Sequence, residues 1–257
     1  MKSEKKILIL SDLDGTYVDH NSRPLARNEA AVARLKAAGG YFSLATGRNE
    51  RSLREMIGDF TALINAPAIL VNGGYLFDPA SGEKLCPRLL DGRETYAMLR
   101  EIHARFPQNR VRYTDNSAVH YLFEGFEPQD FAWYKVVFEG RPEEVAAIRQ
   151  AVYALCGDRY AYSFSSPTLF EMLRAGATKG AMVQVLRRIF AERGETLFLY
   201  ACGDYENDFD LLRAADLPVC PANAHPDVLA YVRAAGGWVV CDNDTGVIAD
   251  VVERIGL

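Results

Sequence analysis

The segment that most restricts the fold is a run of four aliphatic residues, 7–10, which ends in a polar turn. An uninterrupted aliphatic run of this length is typical of a strand that is buried on both faces. Such strands occupy the middle of parallel sheets, where helices cover both sides. The run therefore predicts a central strand, and the turn after it is expected to lie at the carboxyl edge of a sheet.

Two carboxylates, Asp12 and Asp14, stand in that turn two residues apart. On extended backbone such side chains point to the same side. Like charges at the end of a buried strand are costly unless a cation or a catalytic role compensates. We therefore expect Asp12 and Asp14 to share a magnesium-assisted phosphate site. An Asp-rich turn that caps a helix is the alternative interpretation.

The remaining apolar runs predict the sheet to which this strand belongs. They occur at 41–45, 68–71, 197–202, 217–220 and 238–241, and segments of helical periodicity separate most of them. Strands that alternate with helices are typical of an α/β fold. The sequence thus predicts a Rossmann-like, doubly wound parallel sheet.

Between about residues 75 and 174 the pattern changes to short alternating strands with two helical stretches, 92–105 and 142–156. Half-exposed strands with helices on one face are typical of an α+β module. We expect this module to be an insertion in the α/β core. The predicted core is 1–77 with 177–257, and the predicted insert is 78–176.

Polar residues follow a strand or begin a helix at four places in the predicted core. They are Asp12 with Asp14, Thr46-Gly47-Arg48, Lys179, and Asp204 with Asn207 and Asp208. The carboxyl ends of the strands in a doubly wound sheet lie along one edge, and ligands bind there. These four groups are therefore expected to converge on one site.

The converging groups suit the hydrolysis of a phosphate monoester. A carboxylate nucleophile such as Asp12 splits the reaction into two easier steps through an aspartyl phosphate. Asp14 can protonate the leaving oxygen and then activate water. Mg²⁺ prefers oxygen ligands, which Asp12, Asp204 and the backbone carbonyl of Asp14 can provide, while Asp208 holds a metal-bound water. The expected donors to the phosphate oxygens are Thr46, Lys179 and the backbone amides after Asp12.

Composition narrows the class of partner. The net charge is −5 and the pI about 5.5, which argues against broad nucleic-acid binding. The five cysteines form no C-x-x-C pair and are expected to be reduced thiols of a cytoplasmic protein. No apolar stretch approaches the ~18 residues that span a bilayer. We expect a small phosphorylated metabolite as the partner, no nucleic acid and no membrane, and a monomer or small homo-oligomer.

The ordered motifs resemble the haloacid dehalogenase-like (HAD) superfamily, and most closely its Cof-type sugar phosphatases with a type-IIB α+β cap. The resemblance covers essentially the whole chain, including the position of the insert. It implies that Asp12 is the nucleophile, Asp14 the acid/base, and Asp204 a magnesium ligand. It also implies that Thr46 and Lys179 match the second and third motifs. It also implies that Asn207 and Asp208 support the fourth motif and that Asn72 and Gly73 lie near the substrate. Gly47 and Asn207 are expected to contact the phosphate, and Asp208 to act on the metal ion through a bound water.

Several assignments stay open at this point. Arg48 either steers an anion to the site or is simply solvated, and solvation is favoured. Glu171 and Arg174, at the return from the insert, either bind substrate hydroxyls or form a surface ion pair. A phosphomutase on the same core, or a non-catalytic regulatory module that binds a phosphometabolite, is the alternative function. Free phosphate release distinguishes the phosphatase from both.

Overall fold

The computed structural model describes residues 5–116, 118–125 and 127–257. The chain divides into two compact units: one runs to Leu85 and resumes at Lys179–Leu257, and the other is Cys86–Thr178. The first division thus falls after Leu85 rather than after residue 77. The second falls after Thr178 rather than after residue 176.

The strands are β1 (Lys6–Ser11), β2 (Tyr41–Leu44), β3 (Ala68–Leu70), β4 (Tyr75–Phe77), β5 (Lys84–Leu85), β6 (Arg110–Thr114), β7 (Val119–Leu122), β8 (Lys135–Glu139), β9 (Tyr160–Ser166), β10 (Leu169–Arg174), β11 (Leu197–Cys202), β12 (Leu217–Pro221) and β13 (Trp238–Val240). The helices are α1 (Ala26–Ala37), α2 (Glu50–Ile57), α3 (Phe60–Leu63), α4 (Gly92–Arg105), α5 (Pro142–Cys156), α6 (Lys179–Glu192), α7 (Phe209–Arg213), α8 (Pro226–Ala234) and α9 (Val247–Ile255). Within the described ranges, every helix is too short or too polar to cross a membrane.

The first unit contains a parallel sheet with the strand order β13-β12-β11-β1-β2. β1 is an interior strand of this sheet and pairs in parallel with both β11 and β2. Its residues Leu8, Ile9 and Leu10 are fully buried, as the aliphatic run predicts. The last residue of β1 is level with the last residues of β2 and β11. The turns after these three strands therefore begin at the same edge of the sheet.

Helices cover both faces of this sheet. Leu8 and Leu10 share a buried cluster with residues of α6, α7 and α8, among them Met182, Leu211 and Val228. Alternation along the strand turns Ile9 to the opposite face. Helices α1 and α9 pack against each other, α1 also against β2 and α9 against β13. The doubly wound core predicted from the sequence is confirmed.

A small antiparallel sheet, β3-β4-β5, explains why the predicted domain boundary is too early. β5 pairs with β4, and β4 with β3, so residues 78–85 are tied by backbone hydrogen bonds to the first unit. The predicted insert begins at residue 78, in the turn-forming segment 78–82. That segment is instead the loop of a hairpin that returns to the core, where Asp78 N–H donates to the carbonyl of Glu83 at 3.0 Å.

The second unit is an antiparallel sheet with the order β7-β6-β8-β10-β9. Helices α4 and α5 supply apolar residues to one cluster with the sheet, including Leu99, Ile148 and the fully buried Trp133. The sheet contributes every second residue of its strands to this cluster, such as Val111 and Tyr113 of β6 and Val136 and Phe138 of β8. Such alternation is typical of a sheet with helices on one side. The α+β character predicted for the insert is confirmed.

Candidate active site

The loop after β1 gives the two predicted carboxylates different surroundings. Asp12 is only 5% exposed, whereas the side chain of Asp14 is 47% exposed. Gly15 has φ +74°, and a Cβ on it would lie 2.8 Å from Cγ of Asp204. A glycine is therefore required for the loop to approach Asp204 so closely. The Thr16 hydroxyl donates to Oδ1 of Asp204 at 2.9 Å, a contact that the sequence did not predict.

Lys179, the first residue of α6, is 1% exposed. Its Nζ donates to Oδ1 of Asp12 at 2.8 Å and to Oδ1 of Asp208 at 2.6 Å. Burial alone would lower the pKa of Lys179, but the charges of Asp12 and Asp208 outweigh burial and raise it. The amine is therefore a buried cation shared by two carboxylates. Gly180 lets the start of α6 lie close to α7, because a Cβ on it would lie 2.8 Å from the backbone carbonyl carbon of Asp210.

Asp208 is fully buried and fixes the loop after β11. Its Oδ2 accepts the backbone N–H groups of Asp204 at 3.0 Å and Tyr205 at 3.3 Å. Gly203 allows this, since a Cβ there would lie 2.7 Å from the same oxygen. Asn207 lies half-buried beside Asp208 in the same turn. The predicted roles of Asp208 at a metal-bound water and of Asn207 at phosphate stay predictions.

The carboxylates of Asp12, Asp204 and Asp208 lie within 4.8 Å of one another. Burial, and then the charge of Asp208, raise the pKa of Asp12 well above its usual value. The same two causes raise the pKa of Asp204 to about 7. Three ionised carboxylates beside the single ammonium of Lys179 leave two negative charges, which one divalent cation offsets. The donor set, carboxylate oxygens beside a polar loop, fits Mg²⁺.

Thr46, which lies just after β2, is hydrogen-bonded to the turn that follows β3. The backbone N–H of Asn72 donates to the carbonyl of Thr46 at 2.9 Å. Asn72 is 3% exposed with φ +53°, and a Cβ on Gly47 would lie 3.0 Å from its Nδ2. Gly73 belongs to the same turn. The structure thus brings Thr46, Gly47, Asn72 and Gly73 together, while their roles toward phosphate or substrate stay predictions.

Arg48 forms a bidentate ion pair with Asp14. Its Nε donates to Oδ2 and its Nη2 to Oδ1, both at 2.8 Å. Its Nη1 donates to the hydroxyl of Ser52 at 3.0 Å. The interpretation of Arg48 as a solvated side chain is therefore wrong. No sequence signal linked it to Asp14, because the two residues lie on different loops.

The two remaining candidates, Glu171 and Arg174, belong to β10 of the second unit. Arg174 is exposed at the end of that strand. Glu171 is 3% exposed and accepts from Nζ of Lys135 at 3.1 Å and from the hydroxyl of Ser165 at 3.1 Å. The surface ion pair considered for Glu171 is wrong, because the side chain is buried and its charged partner is Lys135. Lys135 was missed, although a lysine within the apolar segment 133–138 is a signal of a buried charge.

The fold and the acid-rich sheet edge define a class of hydrolase, and comparison with known proteins identifies it. A family model described as haloacid dehalogenase-like hydrolase matches residues 9–123 and 107–252. The chain belongs to this family. The HAD subclass IIB sugar phosphatase BT4131 matches the fold with a TM-score of 0.75 at 20% identity, over 98% of this chain and 99% of that chain. The Cof-type branch and the type-IIB fold predicted from the motifs are confirmed.

Two curated relatives are phosphatases by name. The HMP-PP phosphatase of Klebsiella pneumoniae is 25% identical over 241 residues, 85% of each chain. The pyridoxal phosphate phosphatase YbhA of Escherichia coli is 25% identical over 277 residues, 95% of this chain and 97% of its own length. The predicted enzyme class, phosphoric monoester hydrolase, is confirmed. The two names give different phosphorylated metabolites, so the substrate is a separate question.

Proposed function

We propose that this protein is a Mg²⁺-dependent phosphatase of small phosphorylated metabolites, with sugar phosphates as the expected class, acting through an aspartyl phosphate. One observation carries the proposal: buried Lys179 contacts both Asp12 and Asp208, with Asp204 beside them. A nucleophilic carboxylate, a fixed cation and an excess of negative charge are thus held in one place. Phosphoryl transfer depends mainly on such positioning and charge stabilisation.

In the first half-reaction, Asp12 is the nucleophile. Oδ1 of Asp12 is held by Lys179, and the carboxylate attacks phosphorus while the bond to the leaving oxygen breaks. Asp14 gives its proton to the leaving oxygen, which departs as the free alcohol. Lys179, Thr46, Gly47 and Asn207 would donate to the phosphate oxygens.

In the second half-reaction, water hydrolyses the aspartyl phosphate. Asp14, left as a carboxylate, takes a proton from the water as it attacks phosphorus, and the bond to Asp12 breaks. Inorganic phosphate leaves and both carboxyl groups return to their starting states. Asp12, the Asp14 backbone carbonyl and Asp204 would hold Mg²⁺, with Asp208 at a bound water. When bound, the ion supplies positive charge for the phosphate oxygens and orients them.

We propose that the second unit is a cap that determines which substrate is bound, and that the first unit carries the catalytic residues. These are the roles predicted from the sequence for the insert and the core. Relatives named for HMP-PP, for pyridoxal phosphate and for a sugar phosphate support a substrate that is small and phosphorylated. Asn72 and Gly73 are the proposed substrate contacts of the core, and Arg174 is that of the second unit. Glu171 is not retained as a contact, because it is buried against Lys135. A panel of phosphorylated sugars, nucleotides and cofactors, ranked by kcat/KM, tests this assignment.

The decisive experiment measures inorganic phosphate released from p-nitrophenyl phosphate with and without MgCl₂. We expect turnover that EDTA removes and that Asp12→Asn abolishes. Asp227→Asn, which changes an exposed aspartate of the same unit, is the matched control and should retain turnover. Release of phosphate by Asp12→Asn at the wild-type rate would reject the proposed nucleophile. An isomerised sugar phosphate in place of free phosphate would indicate a mutase.

A further inference from the structure

The carboxylate of Asp14 is held by the guanidinium of Arg48, whose two N–H groups match the spacing of the two carboxylate oxygens. The guanidinium of Arg48 makes two parallel hydrogen bonds, one to each carboxylate oxygen of Asp14, both at 2.8 Å. A bidentate pair fixes the plane and direction of a carboxylate, which a lysine at the same distance does not. Both oxygens of Asp14 are therefore oriented by Arg48.

Arg48 is itself fixed by the start of α2. Its third contact is to the hydroxyl of Ser52 at 3.0 Å, and its backbone N–H donates to Oγ1 of Thr46 at 3.2 Å. Asn49 caps the helix by accepting the N–H of Ser52 at 2.9 Å. The guanidinium thus extends from a capped helix start, whereas Asp14 lies on a loop with a half-exposed side chain. Arg48 is thus held by contacts at the start of α2, and Asp14 is held by Arg48.

Stability alone does not account for this pair. The side chains of Arg48 and Asp14 are 33% and 47% exposed, and ion pairs with this exposure contribute little to folding. Orientation is a different matter, because an acid/base group must lie within hydrogen-bond reach of the proton it transfers. A carboxylate has about four lone-pair positions, so two hydrogen bonds from Arg48 leave others free. One of these positions carries the proton when Asp14 is the acid and accepts it when Asp14 is the base.

We infer that Arg48 is a positioning residue that orients Asp14 for both proton transfers, an inference that rests on the proposed function. The side-chain hydrogen bonds of Arg48 go to Asp14 and Ser52 and not to Asp12, so Arg48 acts through Asp14. Removing it should therefore slow turnover without weakening substrate binding. It should also have no further effect once Asp14 has lost its carboxylate.

The experiment compares Arg48→Ala, Asp14→Asn and the double variant on p-nitrophenyl phosphate with Mg²⁺. We expect kcat of Arg48→Ala to fall about 10- to 100-fold, as a misplaced catalytic group does, while KM is unchanged. The double variant should be no slower than Asp14→Asn alone. Ethylguanidinium should restore part of the lost kcat to Arg48→Ala, and ethylammonium at the same ionic strength should not.

Arg51→Ala is the matched control, because Arg51 lies on the same helix, is 68% exposed and pairs with Glu55. It should leave kcat and KM unchanged. If Arg48→Ala does not fold, Ser52→Ala removes the outer contact of the guanidinium and should show a smaller fall in kcat with the same KM.

Three results would overturn the inference while leaving an active phosphatase. A rise in KM with constant kcat would make Arg48 a substrate contact. Unchanged kinetics would make the pair a surface ion pair. A double variant slower than Asp14→Asn would mean that Arg48 acts independently of Asp14. A wild-type protein without Mg²⁺-dependent turnover would instead reject the proposed function, and this inference with it.

Discussion

Each unit of the molecule buries a lysine against carboxylates, but the balance of charge differs. In the first unit, Lys179 contacts Asp12 and Asp208, and Asp204 completes a group of three acids. In the second unit, Lys135 contacts Glu171 at 3.1 Å, and the two side chains are 5% and 3% exposed. Among the described residues, only the first unit has three acids placed to share a metal ion.

The difference separates a site with an excess of negative charge from a matched ion pair. Uncompensated charge in a buried place is costly, so it persists where a ligand or a reaction offsets it. A buried pair of opposite charges already offsets itself, though at a cost in desolvation. The comparison therefore assigns chemistry to Lys179 and a structural role to Lys135, and each assignment can be tested by matched variants.

The largest expected effect is the loss of turnover in Lys179→Met. The variant removes the cation that contacts Asp12 and leaves the acid group more negative, so phosphate binding and attack are both weakened. We expect kcat/KM for p-nitrophenyl phosphate to fall about 10³-fold or more, as when a main electrostatic contact is removed. Lys135→Met is the control and should stay within about tenfold of the wild type. Equal losses in the two variants would contradict the comparison.

The second effect concerns stability. Lys135→Met leaves the carboxylate of Glu171 buried without its ammonium, and breaking such a pair costs about 3–5 kcal/mol. The double variant Lys135→Met with Glu171→Leu should recover most of that loss, because an apolar pair of similar volume replaces both charges. Urea denaturation followed by circular dichroism measures both. A double variant as unstable as the single one would show that the pair itself is not the source of the stability.

The sequence predicted that Lys179 belongs to the site, but it did not predict the buried pair of Lys135 and Glu171. The position of Lys179 at a helix start, and of Asp12, Asp204 and Asp208 after strands, follows from parallel-sheet topology, which local patterns reveal. The pairing of Lys135 with Glu171 depends on the register of two antiparallel strands, which patterns do not fix. The Arg48–Asp14 pair depends on side-chain directions from two separate loops. The hairpin β4–β5 was missed because its turn resembles a domain entry.

Metal binding gives the third prediction. Burial and the charge of Asp208 raise the pKa of Asp204 to about 7. In the absence of metal, an ionised Asp204 therefore lowers the free energy of unfolding above that pH. At pH 8 in EDTA, Asp204→Asn should therefore have a higher melting temperature than the wild type. Mg²⁺ at 100 times its dissociation constant should stabilise the wild type by about 2.7 kcal/mol and Asp204→Asn far less. Equal shifts by Mg²⁺ in both proteins would place the ion elsewhere.

The smallest expected effects are those of removing two hydroxyls, each of which donates a hydrogen bond to one of the acidic residues compared above. Thr16 donates to Asp204 at 2.9 Å, and Ser165 donates to Glu171 at 3.1 Å. Each hydrogen bond to a charged group contributes about 1.5–3 kcal/mol, less where water can replace it. If only the first unit holds a metal site, removal of the hydroxyl should affect Mg²⁺ binding in the first unit and only stability in the second. Ser165→Ala should lower the free energy of unfolding and leave turnover unchanged.

Thr16→Val keeps the shape of a fully buried side chain and removes only its hydroxyl. Asp204 then loses a donor that fixes its direction, so the expected change is weaker binding of Mg²⁺. Loss of an orienting partner typically costs 10- to 100-fold in metal affinity, and we expect about tenfold here. Titration of the melting temperature with MgCl₂ measures it without reference to activity. If Thr16→Val instead loses stability with unchanged Mg²⁺ affinity, the hydroxyl serves the fold in both regions, and the distinction between the two carboxylate sites does not extend to their neighbours.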